Sequence, residues 1–288
     1  MKRAKLLTVL GLVALIAPLC SSVRAAEPVD PVPPTILETG FSELYSLDFQ
    51  GAREKFLSYQ QLEPTDPLGK AAEAASYLYQ EFSEKGVFTS AFFLNDDLFL
   101  GGVAGKPSEN RNDAFLQVNV QARQMAEGLL KSNPRDPHGL LVLTMTDGME
   151  SDYDALIEKK QLAGLSMMRR AESEAKTLLA IDSTAQDAYL ALGASNYVIG
   201  SLPAYKRFFL KMGGVHGDKE RGIQQMQQAA DHGHYLKPFA KILLALGYER
   251  EHQVDRARVL LAELTAQFPE NPLFAHELAL IEDPPNKQ

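Results

Sequence analysis

Apolar stretches with helical spacing recur along this chain, and three of them end on the same four-residue punctuation. Pro64-Thr65-Asp66-Pro67, Pro134-Arg135-Asp136-Pro137 and Pro269-Glu270-Asn271-Pro272 each close one stretch and open the next. Proline lacks the N–H that a helix interior needs but fits the first helical turn. The first proline of each motif therefore stops a helix and the second starts another. An alanine stands twelve residues before the first proline each time, at Ala52, Ala122 and Ala257. Small residues at a fixed distance from a helix end let neighbouring axes approach closely, so the pattern predicts an all-α body of helices stacked in series.

Two segments sharpen the prediction. Asp48-Phe49-Gln50-Gly51-Ala52-Arg53-Glu54-Lys55-Phe56 and Ala188-Tyr189-Leu190-Ala191-Leu192-Gly193 resemble the second and first helices of the tetratricopeptide repeat. The resemblance implies an α-solenoid, a right-handed superhelix of helix pairs recurring at about 34 residues, and a binding role. Laid along the chain it gives five units and a lone final helix. Unit one, Pro33 to Asp66, places Gly40 in its first helix and Ala52, Phe56 and Pro64 in its second. Unit two opens at Pro67 with Ala74 and Tyr77, and its second helix carries Ala122 and Ala126, about 36 residues later than the repeat length requires. Unit three begins at Pro137, carries Ala171 and Ala175, and has both helices lengthened. Unit four takes Leu192 and Gly193, then Gly222, Met226 and Ala229, with about 17 extra residues between. Unit five, Pro238 to Asn271, has Leu244, Ala245, Tyr248, Ala257, Leu261, Leu264 and Pro269 in place, and Pro272 to Glu282 forms a capping helix.

The two insertions share a phrase. Phe92-Phe93-Leu94 precedes Gly101-Gly102-Val103-Ala104-Gly105, and Phe208-Phe209-Leu210 precedes Gly213-Gly214-Val215-His216-Gly217. Glycines permit tight reversals and paired phenylalanines demand burial, so both segments are expected to be loops folded back onto the solenoid. In the tetratricopeptide family the first helices line the concave side, here through Leu68, Ala71, Ala75, Leu78, Leu141, Met145, Leu190, Ala194, Tyr197, Ile242 and Leu246. A bare apolar wall of that extent exceeds what soluble monomers expose, so something covers it. Either the insertions plug it as core, or they form lids over a site for an apolar ligand or partner helix. The candidate binding residues are Leu78, Phe92, Phe93, Met145, Leu190, Tyr197, Tyr205, Phe208, Phe209, Ile242 and Leu246. The Lys and Asn residues with which family members clamp acidic peptide tails are missing from this wall. In Leu202 to Met212, cations interleave with apolar residues. Contact with a membrane surface is one reading of that segment, and packing against neighbouring helices is the expectation.

Export changes the composition argument. Met1-Lys2-Arg3-Ala4-Lys5 is basic, Leu6 to Leu19 is apolar but short for a bilayer span, and Val23-Arg24-Ala25 supplies small residues for cleavage. Residues 1–25 are therefore expected to be a signal peptide. Residues 26–34, rich in proline, make an extended linker, 35–282 the repeat domain and 283–288 a disordered tail. Cleavage would remove Cys20, the chain's single cysteine, so packing rather than disulfides must hold the body. Removing Lys2, Arg3, Lys5 and Arg24 takes 29 basic residues to 25 against 37 acidic, and the formal charge from −8 to −12. That balance repels nucleic acid.

Catalytic signatures fail residue by residue. His276-Glu277 starts like a zinc-protease helix, but Leu280 stands where the second histidine must be. Gly105-Lys106 has Leu100 in place of a phosphate loop's first glycine, and there is no Gly-x-Ser-x-Gly elbow. His232, His234 and His216, the pair Asp96-Asp97, and Glu150 with Asp152 and Asp154 could draw a cation, but solvation and helix capping explain them more simply. The expectation is no enzyme, no cofactor and no metal. It is a periplasmic or secreted scaffold that binds a protein partner in the cell envelope. The alternative is an apolar-ligand carrier, because Leu192 to Tyr248, with its Gly-Gly and Gly-Asp pairs, is similar to the TPR-like T-component of periplasmic TRAP transporters. A eukaryotic tetratricopeptide family shares that grammar.

Overall fold

The computed structural model describes residues 35–283. The expected signal peptide and linker, and the tail after residue 283, lie outside the described residues. Among those described, every regular element is helical: α1 (Ile36–Tyr45), α2 (Phe49–Leu62), α3 (Pro67–Glu84), α4 (Ser90–Phe93), α5 (Asp96–Gly101), α6 (Glu109–Ser132), α7 (Pro137–Asp152), a π-helical turn (Tyr153–Ile157), α8 (Gln161–Ile181), α9 (Ala188–Ser201), α10 (Ala204–Met212), α11 (Lys219–His232), α12 (Lys237–Arg250), α13 (Val254–Gln267) and α14 (Pro272–Glu282). No helix among them is long and apolar enough to cross a membrane.

The proline punctuation acts as its chemistry dictates. Proline takes the first position of α3, α7 and α14, and the preceding Asp or Asn satisfies a free helix N–H. Asp66 accepts from the Leu68 N–H at 2.8 Å, Asp136 from the Gly139 N–H at 2.8 Å, and Asn271 from the Leu273 N–H at 3.0 Å. The five pairs are α1/α2, α3/α6, α7/α8, α9/α11 and α12/α13, each packed on the next, with α14 closing the series. The third pair is long, as the sequence predicts, and the π-helical turn extends α7.

Alanines and glycines mark the crossings. Ala52, Ala122, Ala175, Ala229 and Ala257 are fully buried. Between α9 and α11 the backbones nearly touch: a methyl group added at Gly222 would lie 2.6 Å from the Tyr197 nitrogen, and one at Gly193 2.7 Å from the Met226 nitrogen.

The insertions depart from the expectation of two folded-back loops. The first forms short helices, because Thr89 caps α4 through the Phe92 N–H at 3.3 Å and Asn95 caps α5 through the Asp97 N–H at 2.9 Å. It does lie on the array, with Phe92, Phe93 and Phe99 buried. The second carries α10, of which no residue is buried. The expected packing of α10 against neighbouring helices is thereby corrected. Its lysines and arginine are costly to bury without partners, and the acidic residues of the described body do not reach them.

The two ends of the array meet. Phe41 stacks on Tyr235 at 5.0 Å between ring centres, and Tyr45 lies 5.7 Å from Phe268. The Tyr45 hydroxyl donates to the Tyr235 carbonyl at 3.0 Å, and the Asn271 amide donates to the Tyr45 carbonyl at 2.8 Å. The capping helix reaches the first insertion as well, where the Ser90 N–H donates to the buried Glu277 carboxylate at 3.0 Å. The concave wall is therefore the lining of a ring.

Candidate functional site

Inside that ring lies a cavity of about 230 Å³. First helices of all five pairs contribute to it, joined by α4, α5 and the π-helical turn. Its surface is mainly aromatic and aliphatic: Phe41, Leu78, Tyr79, Phe82, Phe88, Phe92, Phe93, Phe99, Leu141, Met145, Leu190, Tyr197 and Phe239 all face it.

Most of the residues expected on the concave wall are here. Leu78, Phe92, Phe93, Met145, Leu190 and Tyr197 line the cavity. Ile242 and Leu246 do not. They sit in the core around α12, and the cavity is met by Phe239 and Leu243 one step around the same helix. Tyr205, Phe208 and Phe209 are on the exposed face of α10, away from the cavity. Of the expected covering, the first insertion supplies the aromatic rings, and the second segment contributes Leu202 at its start.

That covering is clamped. Arg250 of α12 donates to the Phe93 carbonyl at 2.5 Å, pairs with Asp96, and lies over the Phe99 ring at 4.5 Å. Behind α5, the Val103 N–H donates to the Leu156 carbonyl at 2.9 Å, fastening the end of the insertion to the π-helical turn. Gly102, at φ +85°, lets the chain pass there, since a methyl group would lie 2.5 Å from the Leu156 carbonyl oxygen.

The polar groups on the wall divide into satisfied and unsatisfied. Asp187 accepts from the His234, Tyr235 and Leu236 N–H groups at 2.8, 3.1 and 3.1 Å, and so joins α9 to the start of α12. Burial holds the Tyr45 and Tyr79 hydroxyls far above the usual phenol range, leaving both neutral. Asp152, the last residue of α7, is different. It is half-buried on the cavity wall, and desolvation alone lifts its pKa from 3.8 to about 7. Among the described residues, no cation or hydrogen-bond donor offsets that burial. In the sequence it was legible only as one acid among three; Glu150 pairs with Arg123 instead.

Two further clusters hold helices rather than ligands. Asp147, fully buried, lies 2.8 Å from Arg123 and 2.9 Å from Arg170, off the hydrogen-bond line but at ion-pair distance, binding α6, α7 and α8. His234 meets Glu38 at 2.7 Å, part of the ring closure, and the hydrogen bonds from Thr35, with that from His234, hold the Glu38 carboxyl down at about 2. Among the described residues no three His, Cys, Asp or Glu side chains come together as a metal site.

No family model and no curated protein matches this chain. Among solved structures it is similar to a thermophilic TPR protein in Thermus thermophilus, at 16% identity and a TM-score of 0.45, over 86% of this chain and 97% of that one. The chain's own helix pairs, proline breaks and alanine crossings make it a tetratricopeptide-like all-α array.

Proposed function

We propose that the protein is an exported carrier that holds an apolar ligand inside the ring of helix pairs. The observation that carries this reading is the cavity: about 230 Å³, aromatic-walled and covered by a clamped insertion. Apolar cavities smaller than this, ~150 Å³, take up guests of benzene size because water gains too few hydrogen bonds there. Among the described residues Asp152 takes part in no hydrogen bond or ion pair, so a bound ligand can supply its partner, which supports a recognition role. The basic, apolar and small-residue order of residues 1–25 supports export.

A protein partner in the envelope remains the second reading, and it changes place. Contacts of α1 with Tyr235 and Phe268 close the concave wall to an incoming helix, so a partner would use the outside, where α10 presents apolar side chains.

The test is a fluorescence titration with N-phenyl-1-naphthylamine. The wild-type protein should bind the probe at one saturable site, and Ala194→Phe, which puts a ring into the cavity from α9, should abolish it. Probe binding that survives Ala194→Phe but is lost in Phe208→Ser would overturn the proposal.

A further inference from the structure

Granting that the cavity holds an apolar ligand, the wall chemistry narrows its class. We propose that the ligand carries one hydrogen-bond-donating head, a primary amine or alcohol, which meets the Asp152 carboxyl while its apolar body lies against the aromatic wall. A carboxyl on an apolar wall is stable only with a partner, and among the described residues no hydrogen bond or ion pair reaches Asp152; the Tyr79 phenol on α3 shares the wall with it. Tyr79 does not donate to it, and no lysine or arginine approaches. A carboxylate-headed chain would set two acids together in an apolar surround, which repels it. The site thus selects by head group where the wall selects by hydrophobicity.

The experiment is displacement of the naphthylamine probe by dodecylamine, dodecanol and dodecanoate, with wild type and Asp152→Leu. Dodecylamine and dodecanol should compete at least roughly tenfold more tightly than dodecanoate, the range of a hydrogen bond to a charged group. Asp152→Leu should erase that order while still binding the probe. If the probe binds and dodecanoate competes equally well, the head-group assignment is wrong and the carrier reading stands. If the probe does not bind at all, the carrier reading itself fails.

A separate surface carries a second proposal. Along α10, Tyr205, Phe208, Phe209 and Met212 fall at i, i+3, i+4 and i+7, and they are 64, 61, 68 and 74% exposed. They form one apolar stripe. At 3.6 residues per turn, Lys206 and Lys211 fall about 60° beyond its two edges. From Leu202 to Gly217 there is no acidic residue, in a chain of net charge −8, and among the described residues no carboxylate pairs with Lys206, Arg207 or Lys211. The geometry points to an anionic lipid surface as the occupant of this face. Rings enter the acyl boundary and flanking lysines reach up to headgroup phosphates, an arrangement a protein groove does not require.

Co-sedimentation of the whole protein with phosphatidylglycerol vesicles tests it against phosphatidylcholine vesicles. Binding should require phosphatidylglycerol, weaken with salt, and fall roughly a hundredfold when Lys206, Arg207 and Lys211 are changed to serine. Phe208→Ser with Phe209→Ser should also abolish it, and because α10 buries nothing the thermal midpoint should not move. Equal binding to phosphatidylcholine, or a concentration-dependent dimer that the phenylalanine variant dissolves, would overturn the assignment.

Discussion

Replacing Asp152 by asparagine should stabilise the protein, and by more at pH 8 than at pH 5. Desolvation in the folded state lifts this carboxyl from 3.8 to about 7, whereas the unfolded chain returns it to water and its ordinary value. Between those pH values the folded state still holds a proton that the unfolded state has released, so stability falls as pH rises. The loss begins near pH 4 and is complete slightly above pH 7. The gap, at about 1.36 kcal/mol per pH unit, sets a ceiling of about 4 kcal/mol, well over half of it accruing between pH 5 and pH 8. Water entering the cavity lowers that figure, which leaves an expected gain of about 1–3 kcal/mol over this interval. Asparagine matches the shape and has no charge to desolvate. Urea unfolding of both proteins at pH 5, 6, 7 and 8 measures the difference directly. The subtraction matters because Glu249, pushed up to about 7 by burial and by Glu277 beside it, contributes the same sign to both proteins. A stability difference that does not grow with pH would show that Asp152 has a partner, and the isolated-carboxyl reasoning would fail.

Other substitutions probe the scaffold. Gly222→Ala forces a methyl group against the α9 backbone and should cost about 1–3 kcal/mol by chemical denaturation, while the same change at Gly128, exposed inside α6 with nothing within 4 Å, should stabilise by about 0.5–1 kcal/mol. Asp147→Leu removes the acid that Arg123 and Arg170 share while Glu150 still pairs with Arg123, and should destabilise by about 1–3 kcal/mol, again read from denaturant midpoints. Asn271→Ala removes both the cap of α14 and the tie to Tyr45, and should lower stability by about 1–2 kcal/mol with faster hydrogen exchange in α1. Arg250→Ala should release α4 and α5, seen as faster exchange there and faster dissociation of the naphthylamine probe in stopped flow.

The fold was largely legible because its rules are local. A proline that starts a helix, an aspartate before it and an alanine at a crossing each act within one or two turns, and five pairs could be counted from them. Ring closure was not legible. Contacts such as Phe41 with Tyr235 arise from the accumulated rotation of every intervening pair, and no sequence window contains that sum. The insertions show how a shared phrase misleads. Phe92-Phe93 and Phe208-Phe209 look alike, yet the first is followed by Asn95, which caps α5, and by Asp96, which Arg250 grips. The second is surrounded by Lys206, Arg207 and Lys211, and that cation content was the available signal that it would stay outside. On α12 the sequence pattern points to Ile242 and Leu246 on the wall and the structure puts Phe239 and Leu243 there, because a helix buried on several sides gives no polar face from which to fix its rotation. Asp152 does not stand out from Glu150 and Asp154 in the sequence for a related reason, since an acid inside an acidic stretch reads as solvated until its surroundings are known.

Native mass spectrometry of the protein purified without detergent from its own host tests the central claim, an occupied ring interior, most directly. A carrier gives a discrete adduct of small-molecule mass that Ala194→Phe removes while leaving the protein folded. Bare protein from the same preparation, together with no uptake of the naphthylamine probe, would contradict it.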